Sequence, residues 1–384
     1  MRRLIIIILG LFTSSVTAAA PSTQPVLDRF NYIIGTQDFN PSYHFTTEPA
    51  LLEAARAIQA MGSNTIKFGF TPTSRSGERA NFKSLADYAR LDPTRRAMLE
   101  MPFANYILWA HTFAEVNWHD GLSEDERNRE YHELYDFASY LLKTYSGTGK
   151  TFFIGHWEGD WLLRGKGKKD VIPTPVAMQG MTDWFNARQQ AIDDAKRDTP
   201  HHNVEMFNYA EVNLVRIGME GKPCLTTDVI PKTNVDYVSY SSYDCESDPK
   251  ELTAALSFIE SHMQPKPSIK GKRVFIGEYG FPAYKFSPQQ QERKSRDLMI
   301  AGLRWGCPFI LYWEMYNNEV KDGHQQGFWL IDDKNTKQPI YNTHYAFYQW
   351  AHQFIDGYQR EHNSPPSFAE FSSHGADFLE HLAP

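Results

Sequence analysis

Short apolar runs rich in β-branched and aromatic residues alternate along this chain with longer segments of helical periodicity. Eight of the short runs are predicted to be strands: 31–37, 65–70, 106–111, 151–158, 204–209, 237–241, 273–278 and 309–314. Helices are predicted between and after them: 49–61, 124–145, 177–197, 249–262, 289–305 and 342–354, with a short candidate at 212–220. Strands that alternate with helices pair in parallel through right-handed crossovers.

This order predicts an α/β fold, a single (β/α)8 TIM barrel over residues 21–360. The rival, an open doubly wound sheet, usually carries a glycine-rich loop after its first strand. Here that strand is followed by Gln37-Asp38-Phe39-Asn40-Pro41, which has no glycine. We expect long loops at the C-terminal face to wall a cleft, and a loosely packed tail over 361–384.

The N-terminus has the three parts of a secretory signal peptide, predicted over residues 1–20. Arg2 and Arg3 precede an apolar stretch, and Ala18-Ala19-Ala20 precede Pro21. The apolar stretch is shorter than the roughly 20 residues that span a bilayer. An uncleaved anchor is the alternative. We therefore expect a secreted or periplasmic protein with no membrane contact after cleavage.

Charge and cysteine content exclude some kinds of partner. The formal net charge is −7, and no basic stripe of the kind that binds nucleic acid is present. One basic cluster, 164–169, is either a solvated loop or a contact to an acidic polysaccharide. The cysteines show no zinc-site spacing, and Cys224 with Cys245 is the likelier pair if a disulfide forms.

Two acidic residues close predicted strands, where the active sites of such barrels lie. Glu158 ends the fourth strand and Glu278 the seventh. Strands three apart in a ring of eight face each other across the mouth. Two carboxyl groups that flank one bond are what glycoside hydrolysis requires, with no metal ion or cofactor. The sequence thus predicts an enzyme that acts on a carbohydrate.

Two segments resemble a known group of enzymes. The run Val274-Phe-Ile-Gly-Glu278-Tyr-Gly-Phe-Pro282 is similar to the strand-seven nucleophile segment of the retaining barrel glycoside hydrolases of clan A, and Leu311-Tyr-Trp313-Glu314 resembles that clan's strand-eight tryptophan. The resemblance implies Glu278 as nucleophile, Glu158 as general acid/base and Trp313 as the floor of a sugar subsite. The chain departs from the clan in lacking asparagine before Glu158.

Residues near these strand ends are candidate substrate contacts. His156, which could bond a sugar or orient Glu158, and Trp157 precede Glu158. Asp160, a reserve acid, and Trp161 follow it. The others follow or end later strands: Glu211 as a substrate contact or rim ion pair, and Tyr240 or Tyr243 as a partner of the nucleophile. Aromatic faces stack on sugars, although most aromatic residues pack in cores.

Two other classes of function stay open. A metal-dependent barrel hydrolase is disfavoured because His201-His202 precede the fifth strand, at the wrong end of the barrel. A barrel that binds glycans without cleaving them is the second alternative. The sequence does not give the sugar, the linkage, exo or endo action, or the oligomeric state.

Overall fold

The predicted barrel is present. The computed structural model describes residues 29–71, 81–114, 116–165 and 168–383, so the predicted signal peptide lies outside the described residues. Eight parallel strands close one barrel in sequence order. They are β1 Ile34–Asp38, β2 Thr65–Gly69, β3 Asn105–Trp109, β4 Thr151–Gly155, β5 Glu205–Val212, β6 Tyr237–Ser241, β7 Val274–Tyr279 and β8 Ile310–Tyr312. A hairpin of β9 Val320–Lys321 and β10 His324–Gln325 follows.

Helices surround the barrel, and each predicted helix has a counterpart. They are α1 Ala50–Met61, α2 Leu85–Leu91, α3 Pro93–Glu100, α4 Glu124–Thr144, α5 Gly159–Leu163, α6 Pro175–Asp198, α7 Val215–Met219, α8 Leu225–Asp228, α9 Pro249–His262, α10 Pro288–Trp305, α11 Pro339–His362 and α12 Phe368–His381. Two of the helices begin at a capping box, which Ser123 and Ser287 each form with the third residue of the helix that follows. None of the helices in the described ranges is long and apolar enough to span a membrane.

The C-terminal segment is not the loosely packed tail that the sequence predicted. It forms α12, which begins at a Ser367–Glu370 capping box and packs against α10. Phe371, Ala376 and Leu379 are fully buried in the core. The serine, proline and glycine content of the segment suggested a loose end, but its apolar residues recur at helical spacing and give it a face to bury.

Side chains alternate between two cores along each strand. The outer core lies between the sheet and the helices, and the smaller one fills the barrel with Ile107, Phe153, Tyr209, Phe275, Phe309 and Leu311. Along β2, Ile66 and Phe68 belong to the outer core. Because successive strand residues point to opposite faces, Lys67 between them points into the barrel.

A buried ion pair ties two helices to the outside of the barrel. Arg188 of α6 donates to Glu130 of α4 at 2.6 Å and to the carbonyl oxygens of Ala110 and Gly155 at 2.9 and 3.1 Å. Thr112 donates to the other carboxylate oxygen of Glu130 at 2.5 Å. Both charged side chains are fully buried, so each depends on the other for its counter-charge.

The cysteine pairing suggested by the sequence is not formed. Cys224, Cys245 and Cys307 are all buried free thiols. Cys224 caps the short helix α8 through Thr227, and burial raises the pKa of its thiol to about 11. A shared neighbourhood in sequence did not bring the two sulfur atoms together.

Candidate active site

Glu278 reaches the mouth of the barrel because β7 is irregular at its C-terminal end. The register of β7 shifts against both neighbours, between Tyr240 and Ser241 on one side and between Ile276 and Tyr279 on the other. Such irregularities re-aim side chains at sheet ends. The preceding Gly277 leaves space for the Ser239 hydroxyl, since a Cβ atom there would lie 1.8 Å from that oxygen.

Both carboxylate oxygens of Glu278 are held by hydrogen-bond donors. Lys67 Nζ donates to Oε1 at 3.0 Å, and the Tyr243 hydroxyl donates to Oε2 at 3.3 Å. Burial raises the pKa of Glu278 to about 7, against the lowering effect of Lys67. The result is an oriented carboxylate that loses its proton near neutral pH.

Glu158 lies in a different environment. It is only 8% exposed, and its carboxyl receives no hydrogen bond from any described residue. Burial raises its pKa well above the usual range, and the charges of Glu278 and Glu211 raise it further. A carboxyl group without donors, close to other carboxylates, keeps its proton. The two acids are therefore suited to opposite roles.

Glu211 lies between these two glutamates, fully buried near the end of β5. Its Oε1 accepts the backbone N–H of Glu158 at 3.1 Å. Its Oε2 accepts from Lys67 at 2.9 Å, from Ser239 at 2.8 Å and from the indole of Trp109 at 3.2 Å. Glu211 thus forms an ion pair, one of the two roles that the sequence suggested, and its complete burial argues against the other, direct contact with a substrate.

An aromatic wall borders the charged groups. Trp313 follows β8 and stacks on Phe39, with ring centroids 5.3 Å apart, and Phe39 in turn contacts Trp109. Lys67 Nζ lies 4.4 Å from the centroid of the Trp109 ring. Trp313 is 7% exposed, and its function as the floor of a sugar subsite stays a prediction.

Trp157 and Trp161 flank Glu158 on the loop after β4. Trp157 is 38% exposed, and its backbone N–H donates to His111 Nε2 at 3.3 Å. Burial lowers the pKa of His111 to about 4, so the neutral ring can accept this bond. Trp161 is partly exposed. Both remain candidates for walls of the site.

His156 is not placed for the predicted sugar contact, and its bond to the residue before Glu158 fits the other predicted role, orientation of the Glu158 segment. It is fully buried and stacks on Phe185, with ring centroids 4.9 Å apart. Its Nε2 accepts the backbone N–H of Glu211 at 3.2 Å, and its other ring nitrogen bonds the carbonyl of Trp157. It holds the backbone of Glu211 and of Trp157 from a fully buried position.

Asp160 and Tyr240 also turn away from the mouth. Asp160 is fully buried and accepts the backbone N–H groups of Asn213, Leu214 and Leu225, so it joins loops and is no reserve acid. Tyr240 is buried, and its hydroxyl donates to Asp244. Of the two candidate tyrosines, only Tyr243 contacts Glu278.

The sequence-based reasoning missed Lys67 and Ser239, and it did not select Trp109. Lys67 had a usable signal: it interrupts an apolar strand, and lysine is almost never fully buried without a partner. Ser239 had none, because a serine in a strand is unremarkable. Trp109 was one aromatic residue among many.

The alternative based on metal ions has no structural counterpart in the described ranges. They contain no group of three or more His, Cys, Asp or Glu side chains placed to hold a metal ion. His202 bonds Ser146 and His201 bonds the Thr199 carbonyl, before β5 and away from the mouth.

Comparisons with known proteins agree with this architecture. No protein-family model matches the chain, and no curated protein sequence matches it. Among solved structures, a GH5_18 protein from Bifidobacterium longum subsp. longum is similar over 85% of this chain and 80% of its own, with a TM-score of 0.55 and 14% identity. A GH5_18 variant from Streptomyces cattleya in complex with Manb1-4GlcNAc is similar over 87% and 82%, with a TM-score of 0.51 and 14% identity.

A third similar structure is an exo-beta-1,4-mannosidase from Opitutaceae bacterium strain TAV5. The likeness covers 83% of this chain and 59% of that one, with a TM-score of 0.54 and 11% identity. At such identities the likeness shows a shared fold. The chain thus has the barrel fold of clan A glycoside hydrolases, which confirms at the level of the fold the resemblance drawn from the sequence.

Proposed function

We propose that this protein is an exported glycoside hydrolase that retains the anomeric configuration of its substrate. The proposal rests on the different hydrogen bonding of two buried carboxyl groups at the same end of the barrel. Glu278 is held by Lys67 and Tyr243, whereas the Glu158 carboxyl receives no bond from the described residues. Paired carboxyl groups with separated pKa values are the acid and the nucleophile of such enzymes.

In the first step a Glu278 oxygen attacks the anomeric carbon. The bond from that carbon to the leaving oxygen breaks, and the proton of Glu158 passes to the leaving oxygen. Lys67 and Tyr243 fix the direction of attack, since each holds one oxygen of Glu278. The products of the step are a glycosyl ester of Glu278 and the free leaving group.

In the second step Glu158, now ionised, removes a proton from water. The water oxygen attacks the anomeric carbon, the ester bond to Glu278 breaks, and the carboxylate is restored. Because Glu278 must be ionised at the start and its pKa is raised to about 7, we expect kcat/KM to fall as pH decreases below about 7.

The substrate we propose is a β-linked oligosaccharide or polysaccharide. β-Mannosides are the first to assay, because two of the structural neighbours are named for a bound mannosyl disaccharide and for mannosidase activity. Export rests on the N-terminal sequence alone.

The test is hydrolysis of aryl β-glycosides of several sugars by the protein and by two alanine variants. Glu278→Ala and Glu158→Ala should each lower kcat by about 10³-fold or more on substrates that need acid assistance. Glu130→Gln is the matched control, since it alters a buried ion-paired glutamate outside the mouth.

Azide then separates the two roles. With Glu158→Ala, azide should attack the glycosyl enzyme and give a glycosyl azide of the substrate's configuration. With Glu278→Ala, it should attack the substrate directly and give the opposite configuration. Binding of oligosaccharides without turnover by the unaltered protein would overturn the proposal in favour of a glycan-binding barrel.

A further inference from the structure

One buried side chain contacts the surroundings of both proposed catalytic glutamates. Glu211 uses its two carboxylate oxygens in different directions: Oε1 toward the backbone of Glu158 and Oε2 toward Lys67. Lys67 in turn bonds Glu278 at 3.0 Å and the Gly277 carbonyl at 3.1 Å.

The bond to Glu158 is one of several that fix this loop, beside the bonds of Trp157 to His111 and of Asp160 to neighbouring backbone groups, and it is the one that holds the Glu158 backbone N–H. Glu158 follows β4 and precedes α5, and its N–H is held at 3.1 Å by Glu211. A carboxylate that accepts the backbone N–H of a residue fixes the position of the backbone from which that residue's side chain extends. The placement of the proton donor therefore depends on Glu211.

The bond to Lys67 acts on the nucleophile. Lys67 is a single buried cation between two carboxylates, at 2.9 Å from Glu211 and 3.0 Å from Glu278. Without Glu211 the ammonium group would have one anionic partner and could shift toward it. The negative charge of Glu211 also raises the pKa of Glu278.

Glu211 is itself held firmly. Ser239 and Trp109 donate to Oε2, and the backbone N–H of Glu211 donates to the buried ring of His156. A side chain fixed at this many points can transmit a defined geometry to its neighbours. Its complete burial excludes direct contact with a substrate.

We propose that Glu211 is a positioning residue for both catalytic glutamates, holding the acid/base loop with one oxygen and, through Lys67, the nucleophile with the other. This inference rests on the proposed function. It explains how the mouth is organised in a chain that lacks asparagine before Glu158.

The test is Glu211→Gln, which keeps the shape and removes the charge. An amide has one acceptor oxygen and one donor nitrogen, so it cannot accept from Glu158 and from Lys67 at once. We expect kcat to fall by about 10²-fold, as when a catalytic group is displaced by about 1 Å. The acid limb of kcat/KM should move down by about one pH unit, because a like charge beside Glu278 is gone.

Leaving-group dependence tests the link to Glu158. Aryl glycosides with a very acidic phenol need little protonation, whereas alkyl glycosides need a well-placed acid. Glu211→Gln should therefore lose more activity on alkyl glycosides than on dinitrophenyl glycosides. Glu130→Gln, the matched control, should lower thermal stability and leave both the pH profile and this ratio unchanged.

A second pair of variants covers the case in which Glu211→Gln does not fold. Ser239→Ala removes one donor to Glu211, and Thr112→Val removes one donor to Glu130. Ser239→Ala should lower kcat by about 3- to 10-fold, within the range for one hydrogen bond to a charged group, and Thr112→Val should not.

The inference is overturned if Glu211→Gln, or Ser239→Ala in its place, keeps the unaltered protein's pH profile, kcat and leaving-group ratio. Failure of the proposed function looks different: either the unaltered protein binds oligosaccharides without turnover, or Glu278→Ala and Glu158→Ala keep full activity. Loss of activity in those two variants with no change in the Glu211 series would reject the positioning role alone.

Discussion

Two buried cations in this protein have opposite surroundings. Arg188, outside the barrel wall, forms an ion pair with one carboxylate, Glu130, and donates its other hydrogen bonds to backbone carbonyl oxygens. Lys67, inside the barrel, meets two carboxylates, Glu211 and Glu278, and a third lies close by in Glu158. Both cations are fully buried.

The difference is one of charge balance. One cation with one anion leaves no net charge in a buried region, which is what stability favours. One cation among three acids leaves an excess of negative charge, which can be relieved only by a carboxyl group that keeps a proton. An imbalance of this kind is typical of functional sites, and a neutral pair is typical of structural ones.

Among the variants that test this difference between the two cations, Lys67→Met is expected to have the largest effect. Without the ammonium group, the pKa of Glu278 should rise further by about 1–3 units beside Glu211. We expect kcat/KM at pH 7 to fall by about 10- to 10³-fold and to recover in part as the pH increases. A pH profile of the variant measures this, and an unchanged acid limb would contradict it.

Arg188→Met tests the other cation. Removal of one partner leaves Glu130 buried without its counter-charge, and such changes cost about 3–5 kcal/mol in the free energy of unfolding. The activity per folded molecule should stay within about threefold, since surface and core changes away from the mouth act through stability. Denaturant unfolding together with active-site titration separates these quantities. A shifted pH profile in this variant would remove the distinction between the two cations.

A smaller effect should appear in stability as a function of pH. The folded protein binds the proton of Glu278 more tightly than the unfolded chain does, because its pKa is raised from 4.5 to about 7. Stability should therefore fall as the pH rises through this window. Glu278→Gln should flatten that part of the curve, measured by denaturant midpoints between about pH 4 and 8. An equal slope in the two proteins would assign the dependence to other groups.

The sequence predicted the barrel well because each strand is a short apolar run bounded by helical periodicity. It also pointed to Glu158 and Glu278 as acids that close such runs. The same criterion would select Glu314 at the end of the eighth run, yet that carboxylate accepts the backbone N–H groups of Phe39 and Asn318. Only the fold shows which acids remain available.

The contacts after the strand ends could not be predicted, since loop conformation decides them. His156 and Asp160 lie within two residues of Glu158, but both are fully buried. Lys67 is far from Glu211 and Glu278 in sequence, and only barrel closure brings the three together. A charge cluster whose members come from separate strands leaves no recognisable pattern in any one segment of the sequence.

The tight space at Gly277 has an evolutionary consequence. A methyl group there would collide with the Ser239 hydroxyl, and Glu211 Oε2 would lie 3.4 Å from it. Replacement of the glycine therefore requires a change at Ser239, and with it the loss of the hydrogen bond that Ser239 donates to Glu211. Homologous chains that keep the same mouth should inherit these three positions as one unit, and a lineage that replaces the glycine should show a rebuilt cluster around its lysine.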